Sequence, residues 1–412
     1  MGTTRRIVIA GASMGGLRAA ERLRAGGFTG EIVAIGDEPH LPYNRPPLSK
    51  EALATEVTHE ALAFRLRPAV ADVAWRLGVR VVGADLDARA VRLGDGTELT
   101  YDGLVVATGM RPRRLHLADS TRPGQTRPGP VTGRHVVRTI EDARALRAEL
   151  RPGANVLVAG AGFIGCEVAA TARTLGASVT VVAPEDVPML RPLGPGLGAA
   201  LRRRHEERGV AFLLGRTIAA FLGETGRAGE GSRVTGAELS DGTRVAADVV
   251  VEAVGSVANT EWLAGNGLDL SDGVLCDDAL RVEGRRGVVA VGDIARFPNP
   301  RYDEVPRRVE HWSIPTDTAR HAAITLLADL GLAEPAATPF APLPTFWSDQ
   351  YELRLQSFGA PALGGSDIRV LEGDIDGEVV VGYHRDGELV GVVLVGMPSA
   401  AARYRAACSA AA

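Results

Sequence analysis

A short apolar strand followed at once by a glycine turn and an amphipathic helix occurs twice in this chain, first at residue 11 and again at residue 160. The first copy begins with "RRIVIA" (5–10), a β-branched run of the kind that forms a buried parallel strand. "GASMGG" follows, placing Gly11, Ser13 and Gly16 at the G-x-G-x-x-G spacing with serine in the second place. Leu17, Ala20, Leu23 and Arg24 continue a helical pattern up to Gly26-Gly27, and "EIVAIGDE" forms the next strand, ending at Asp37. The second copy is complete: strand 155–159, then Gly160, Gly162 and Gly165, a helix, and strand 178–183. Strand, glycine turn, helix, strand and terminal acid make up the dinucleotide fingerprint. The helix start offers free N–H groups to a pyrophosphate, and Asp37 can accept hydrogen bonds from a ribose diol. Glycine used only for helix–strand packing explains one such turn. Two of them point to two dinucleotides, or to two halves of one machine, on an α/β chain.

Two further strand ends bear on the first site. "YDGLVVATGMRP" (101–112) carries Ala107-Thr108-Gly109, and "GVVAVGDIARF" (287–297) carries Gly292-Asp293. Ligands of doubly wound sheets sit off the carboxyl ends of strands. Asp293 therefore either meets a sugar-alcohol hydroxyl of the first cofactor or caps the next helix.

The remaining composition narrows the classes. A net charge of −4 over 412 residues gives no overall field for nucleic acid. No apolar run reaches the length of a membrane span. The three cysteines, Cys166, Cys276 and Cys408, form no CxxC pair and no zinc-spaced cluster, so no metal is expected and a reducing cytoplasm is. Arg5-Arg6 before an apolar run has the look of an export signal but reads better as a strand entry. Acylation at Gly2 fails because position 6 is arginine.

The segments "IGDEPHLPYNRPPLSK", "LVVATGMRPR", "VRTIEDA", "GAGFIGCEVAATARTLGASVTVV", "VVAVGDIARF", "RVEHW" and "FWSDQYELRLQSFG" resemble the FAD-dependent, NADH-dependent ferredoxin reductases of bacterial monooxygenases and ring-hydroxylating dioxygenases, nearly end to end. The resemblance implies a glutathione-reductase-like α/β fold with two Rossmann-like domains and a C-terminal α+β domain. The FAD domain would span 1–113 and 254–325, the NAD domain 114–253, and the C-terminal domain 326–412. Within the last, "GEVVVGYHRDGELVGVVLVG" alternates as strands do about an Asp386-Gly387 turn. The resemblance further implies cofactor contacts at Gly15, Leu86, Arg138, Ile164 and Gly255.

Lys50 is the only lysine in the chain. The resemblance places it beside the flavin ring, paired with Glu167, where an ammonium offsets the negative charge that reduction brings. A compact ammonium and a planar guanidinium need different pockets there. The disulfide reductases of this fold carry a C-x4-C pair in the segment matching "PYNRPPLSK". Here that segment holds no cysteine, so electrons must leave the flavin directly for another acceptor.

The second strand of the NAD unit ends at Ala183, followed by Glu185, which either reaches the adenosine ribose or is a plain loop charge. No arginine stands in "VVAPEDVP" for a 2′-phosphate, although Arg191 follows, so NADH is expected over NADPH. Trp312 either covers the flavin or fills the core, and His311 is structural. Thr316-Asp317 departs from the family's Glu-Gln. Trp347 lies either at the family's ferredoxin-docking face or in the core. Arg45, Arg65, Arg67 and Arg307-Arg308 are candidates for a basic patch facing an acidic [2Fe–2S] ferredoxin. The expected function is electron transfer from NADH through FAD to such a ferredoxin, which feeds a haem-thiolate monooxygenase or a dioxygenase. The expected state is a cytoplasmic monomer or weak homodimer. An NADH oxidase of the same fold and a non-enzymatic flavin–nucleotide switch protein are the alternatives.

Overall fold

A computed structural model describes residues 5–116, 132–224 and 232–410. The Gly2 end lies outside the described residues. Two five-stranded parallel sheets and one five-stranded antiparallel sheet carry the architecture. The first sheet runs Val288–Ala290, Gly103–Val106, Arg6–Ala10, Glu31–Ile35 and Ala74–Arg76, all parallel. The second runs Arg134–His135, Val249–Glu252, Asn155–Ala159, Ser178–Ala183 and Val210–Leu214, again all parallel.

The two sheets are built alike. In each, the strand before the glycine turn is central and the strand after the helix lies on one side. A late strand lies on the other side. Gly11 N bonds Ile35 O and Ala107 N bonds Ala10 O; Gly160 N bonds Val182 O and Ala253 N bonds Ala159 O in the same pattern. The first glycine of each turn has positive φ, +124° at Gly11 and +102° at Gly160. A Cβ there would lie 2.0 Å from Ala107 O or 2.3 Å from Ala253 O. A Cβ on Gly16 or Gly165, the third glycine, would lie 2.0 or 2.1 Å from the carbonyl of the first. These four positions are glycine because helix, turn and strand leave no room for a methyl.

The helices Met14–Ala25 and Phe163–Thr174 start at the two turns. Two antiparallel strands, Met110–Pro112 and Ser256–Ala258, pair where the chain leaves the first sheet unit and returns to it. The helix Ile314–Asp329 packs back on the first unit through Ile314, Ala319, Ala322, Leu326 and Leu327.

The C-terminal sheet has the order Thr345–Gln350, Leu353–Gly359, Glu388–Val395, Val379–Arg385, Asp367–Gly373, every pair antiparallel. Its central hairpin turns at Asp386-Gly387, both with positive φ, the conformation that a tight two-residue hairpin turn requires. The helix Ala401–Ala410 covers one face. The chain is thus an α/β protein of two Rossmann-like units with a C-terminal α+β domain. No helix among the described residues is long and apolar enough to cross a membrane.

Candidate functional site

Two adjoining cavities, of about 720 and 670 Å³, lie at the carboxyl end of the first sheet. They share Ser13, Tyr43, Arg45, Ala107, Gly109 and Arg138, so together they form one elongated site with a waist at the first glycine turn. Gly11, Asp37 and Thr108 line the second cavity; Gly15, Lys50, Ile164, Glu167, Arg191, Asp293 and Trp312 line the first.

At the waist the helix Met14–Ala25 presents its N-terminus, and Ser13 at the N-cap makes no capping bond. The first N–H groups stay available. Arg138 is set by a capping box: Thr139 and Asp142 cap the helix Ile140–Glu149, and Arg138 N also donates to Asp142 at 3.2 Å. Its guanidinium has no ion-pair partner among the described residues. Burial, and then Arg45 nearby, pull its pKa down. Arg45 donates to Arg138 O at 2.6 Å and pairs with Glu38, which also accepts from Tyr43. Two close cations at a helix N-terminus, one of them unpaired, fit a pyrophosphate. At the outer end, Asp37 is exposed and only loosely held by Arg80 at 3.5 Å, free to meet a ribose.

The inner end is built around Lys50. Pro46 and Pro47 open the short helix Pro46–Ser49, and buried Leu48 anchors it. Thr171 donates to Ser49 O at 3.0 Å and joins this segment to the helix Phe163–Thr174 of the second unit. Phe163, Glu167 and Thr171 recur at a spacing of four, on one face of that helix. Lys50 Nζ therefore meets Glu167 Oε2 at 2.7 Å, with Ser49 Oγ donating to the same oxygen at 2.5 Å. Ser348 Oγ donates to Glu167 Oε1 at 2.7 Å. Both side chains of the pair are largely buried, 15% and 8% exposed, yet each lines the cavity.

Asp293 faces the same cavity. Burial pushes its carboxyl up to about 6, against the pull of Arg138. Trp312 stands edge-to-face with Trp347, ring centroids 5.8 Å apart, and both line the wall. His311 packs on Phe346 and lines the same cavity, and burial pulls it down to about 4, so it is neutral. Phe163, Ile164 and Phe346 form an apolar wall toward the second glycine turn.

Gly160, Gly162, Gly165 and Glu185 lie outside both cavities, on the second unit, as does Gly255 where the chain returns from that unit to the first. A Cβ at Gly162 or Gly255 would meet nothing within 4 Å, which leaves the approach to that turn open. Arg191 lines the first cavity and is exposed. Thr108 spends its hydroxyl on Asn259 O at 2.8 Å.

Two expectations need correction. Leu86 lines neither cavity: it is a core residue, its amide bonded to Asn266 Oδ1 at 2.9 Å, and Val81 and Val82 line the wall instead. Arg45 belongs to no surface patch, because Glu38 and Tyr43 hold it inside the site. Arg307 and Arg308 are committed to Asp303 and to Asp272 and Glu310. Arg65 and Arg67 alone of the five are exposed. The sequence reading passed over Glu38, Ser49, Ser348 and Gln350. Ser49 meets Glu167 only through the fold, Glu38 is held by Tyr43 and Arg45 close by in the chain, and Ser348 and Gln350 show only as polar residues alternating on one strand face.

Residues 5–318 match the pyridine nucleotide-disulphide oxidoreductase family, and residues 345–412 match the reductase C-terminal domain. The ferredoxin–NAD(+) reductase component of the anthranilate 1,2-dioxygenase system of Burkholderia cepacia is 38% identical over 400 residues, covering 95% of this chain and 90% of the relative. A probable ferredoxin reductase, CtmF, of Castellaniella defragrans is 36% identical over 407 residues, covering 97% and 92%. The solved covalent complex of putidaredoxin reductase with putidaredoxin superposes with a TM-score of 0.87 at 31% identity, covering 100% of this chain and 93% of that one. The dinucleotide-shaped site, the duplicated glycine turns and these matches together place the chain in the pyridine nucleotide-disulphide oxidoreductase family.

Proposed function

We propose that this protein is a ferredoxin reductase that passes electrons from NADH, through a bound FAD, to a [2Fe–2S] ferredoxin serving a monooxygenase or ring-hydroxylating dioxygenase. The observation that carries the reading is the Lys50–Glu167 pair at the inner end of a cavity that no cysteine lines. Cys166 precedes Glu167 in the chain, but its buried thiol faces Ala161 O at 3.6 Å, and all three cysteines are unpaired. A flavin lodged there has no disulfide to reduce, so its electrons go to a separate acceptor.

FAD, when bound, would supply the chemistry of taking one hydride from NADH and releasing its two electrons one at a time. The chain's own residues bind and orient. Ser13, Gly15 and the helix N-terminus, with Arg138 and Arg45, hold the pyrophosphate; Asp37 takes the ribose diol; Asp293 takes a ribityl hydroxyl. Trp312 and Trp347 shield the ring end from water. Lys50, held by Glu167, puts a positive charge where negative charge gathers. Gly160, Gly162, Gly165, Ile164 and Gly255 receive the nicotinamide dinucleotide, and Glu185 takes its adenosine ribose, favouring NADH. On this reading residues 1–113 and 254–325 form the FAD domain, 114–253 the NAD domain and 326–412 the C-terminal domain. Three free cysteines suit work in the cytoplasm.

The purified protein is expected to be yellow, to bleach near 450 nm (about where oxidised flavin absorbs) on anaerobic addition of NADH, and to reduce cytochrome c only when a [2Fe–2S] ferredoxin is added. NADH should exceed NADPH in kcat/KM. Rapid oxygen consumption without ferredoxin would make it an oxidase. A long-lived NAD–flavin charge-transfer band with poor ferredoxin reduction would make it a switch protein. Either outcome overturns the proposal.

A further inference from the structure

Behind Glu167 a single file of buried polar side chains runs away from the cavity, out of the second unit into the C-terminal sheet and back. Ser348 Oγ lies 2.7 Å from Glu167 Oε1, Gln350 Nε2 lies 3.1 Å from Ser348 Oγ, and His205 Nε2 lies 2.8 Å from Gln350 Oε1. Ser348, Gln350 and His205 are 0, 1 and 2% exposed. Ser348 and Gln350 alternate along the strand Thr345–Gln350 and so share a face. His205 comes from the helix Leu190–Glu207.

The direction of every bond in the file follows from its carboxylate end. A carboxylate facing Lys50 can only accept, so the Ser348 hydroxyl must donate to it. The Ser348 oxygen is then the acceptor for Gln350, which must present its NH₂. That leaves the Gln350 carbonyl for His205, which must carry its proton on Nε2. Burial pulls the His205 pKa down, and Nδ1, the acceptor nitrogen of a neutral ring of that tautomer, has no hydrogen-bond partner among the described residues. All dipoles therefore point at Glu167. The amide of Gln350 carries its two hydrogens on one atom and its acceptor on another, so the file orients groups and does not pass protons. The neighbourhood is otherwise apolar and aromatic: Met189 Sδ sits 3.8 Å from Gln350 Nε2, and His205 packs on Phe212 and Tyr351. Buried polar groups cost stability that an apolar strand face would not.

We infer that Ser348 and Gln350 are positioning residues: they clamp Glu167 Oε1 so that Oε2 is left for Lys50, and the C-terminal domain thereby sets where the ammonium sits in the cavity. The inference rests on the reading of Lys50 as the flavin's charged neighbour. Without the Ser348 donor, the buried carboxylate draws harder on Lys50 and Ser49. The ammonium then retreats from the ring end.

The test uses the FAD-loaded protein and compares Ser348→Thr with Ser348→Val, side chains of one shape that differ in the donor, alongside Gln350→Met and Lys50→Met. The readouts are the flavin midpoint potential and the stopped-flow rate of reduction by NADH. Lys50→Met should lower both. Ser348→Val should lower the potential by less than Lys50→Met does and slow reduction about tenfold, the equivalent of one hydrogen bond at ~1.4 kcal/mol. Gln350→Met should fall between Ser348→Val and wild type, and Ser348→Thr should match wild type. If Lys50→Met shifts the potential while Ser348→Val and Gln350→Met change only thermal stability or FAD content, the positioning role is wrong and the Lys50 reading stands. If Lys50→Met itself leaves the potential unmoved, the reading beneath it is wrong as well. Should a buried Val or Thr prevent folding, Gln350→Met decides by the same criterion.

Discussion

Replacing Lys50 by methionine and Glu167 by glutamine, singly and together, separates what the ion pair does for the fold from what it does for the flavin. At 2.7 Å the two unit charges attract by roughly 6 kcal/mol at an effective dielectric of 20. Much of that only offsets the desolvation of two largely buried groups. What a single substitution loses is the pairing of the charge left behind, roughly 3 to 5 kcal/mol for a buried pair. Lys50→Met leaves a carboxylate with two serine donors, at 2.5 and 2.7 Å. Glu167→Gln leaves an ammonium whose other side-chain contact is Ser49 Oγ at 3.4 Å, so it should be the costlier of the two. The double variant buries no unpaired charge, and the two effects should fall short of additivity by on the order of 2 kcal/mol. Urea unfolding followed by tryptophan fluorescence gives the ranking, read as shifts of midpoint within the series because a chain of several domains is not strictly two-state. Stopped-flow reduction by NADH gives the other coordinate. The double variant should recover stability relative to Glu167→Gln yet reduce its flavin as slowly as Lys50→Met. A double variant no more stable than the weaker single, or one that reduces its flavin at the wild-type rate, would refute the assignment of two roles to one pair.

Three further outcomes follow from the same geometry. Gly162→Ala should fold with an unchanged melting temperature and a raised KM for NADH, since the added methyl meets nothing in the protein. Gly165→Ala, whose methyl would stand 2.1 Å from Gly160 O, should lose about 1–3 kcal/mol of stability by overpacking; equal effects on folding would contradict the division of labour between the two glycines. The Asp293 carboxyl, raised to about 6 from an ordinary 3.8, holds its proton more tightly folded than unfolded. Its contribution is therefore fullest below pH 4 and is lost as pH rises through 6. The melting temperature of flavin-free Asp293→Asn should gain on wild type across that window, and a gap that stays flat would count against it. Burial pushes the thiols of Cys166 and Cys408 up to about 12 and 11 and raises Cys276 as well. Ellman's reagent should therefore titrate almost nothing in the folded protein and three thiols after denaturation; a fast-reacting thiol would reopen the case for cysteine chemistry at the flavin.

What could be read from the sequence was whatever the chain repeats locally. The glycine turns announce themselves because helix–strand packing forbids a methyl at Gly11, Gly16, Gly160 and Gly165 wherever that unit occurs. The Asp386-Gly387 turn is equally local, a matter of two positive φ values between alternating strands. Lys50 and Glu167 stand 117 residues apart, with no periodicity to join them, so their pairing was reachable only through family resemblance. Arg45 shows the opposite error. An arginine in a proline-rich loop reads as surface, yet Glu38 and Tyr43, within seven residues of it, turn it inward, and the waist of the cavity lies on its far side.

The strand "TFWSDQ" is the instructive case. Its tryptophan is the conspicuous residue, but the unusual feature is the other face. A strand face that packs against protein is ordinarily apolar along its whole length. Here that face reads Phe346, Ser348, Gln350, two polar side chains with almost no exposure. Burial at that cost needs partners, and Glu167 and His205 supply them from 181 and 145 residues away. Alternation broken by polar residues on the inward face of a strand therefore signals a partner brought in by the fold. In this chain it is the one trace that the file behind Lys50 leaves in the sequence.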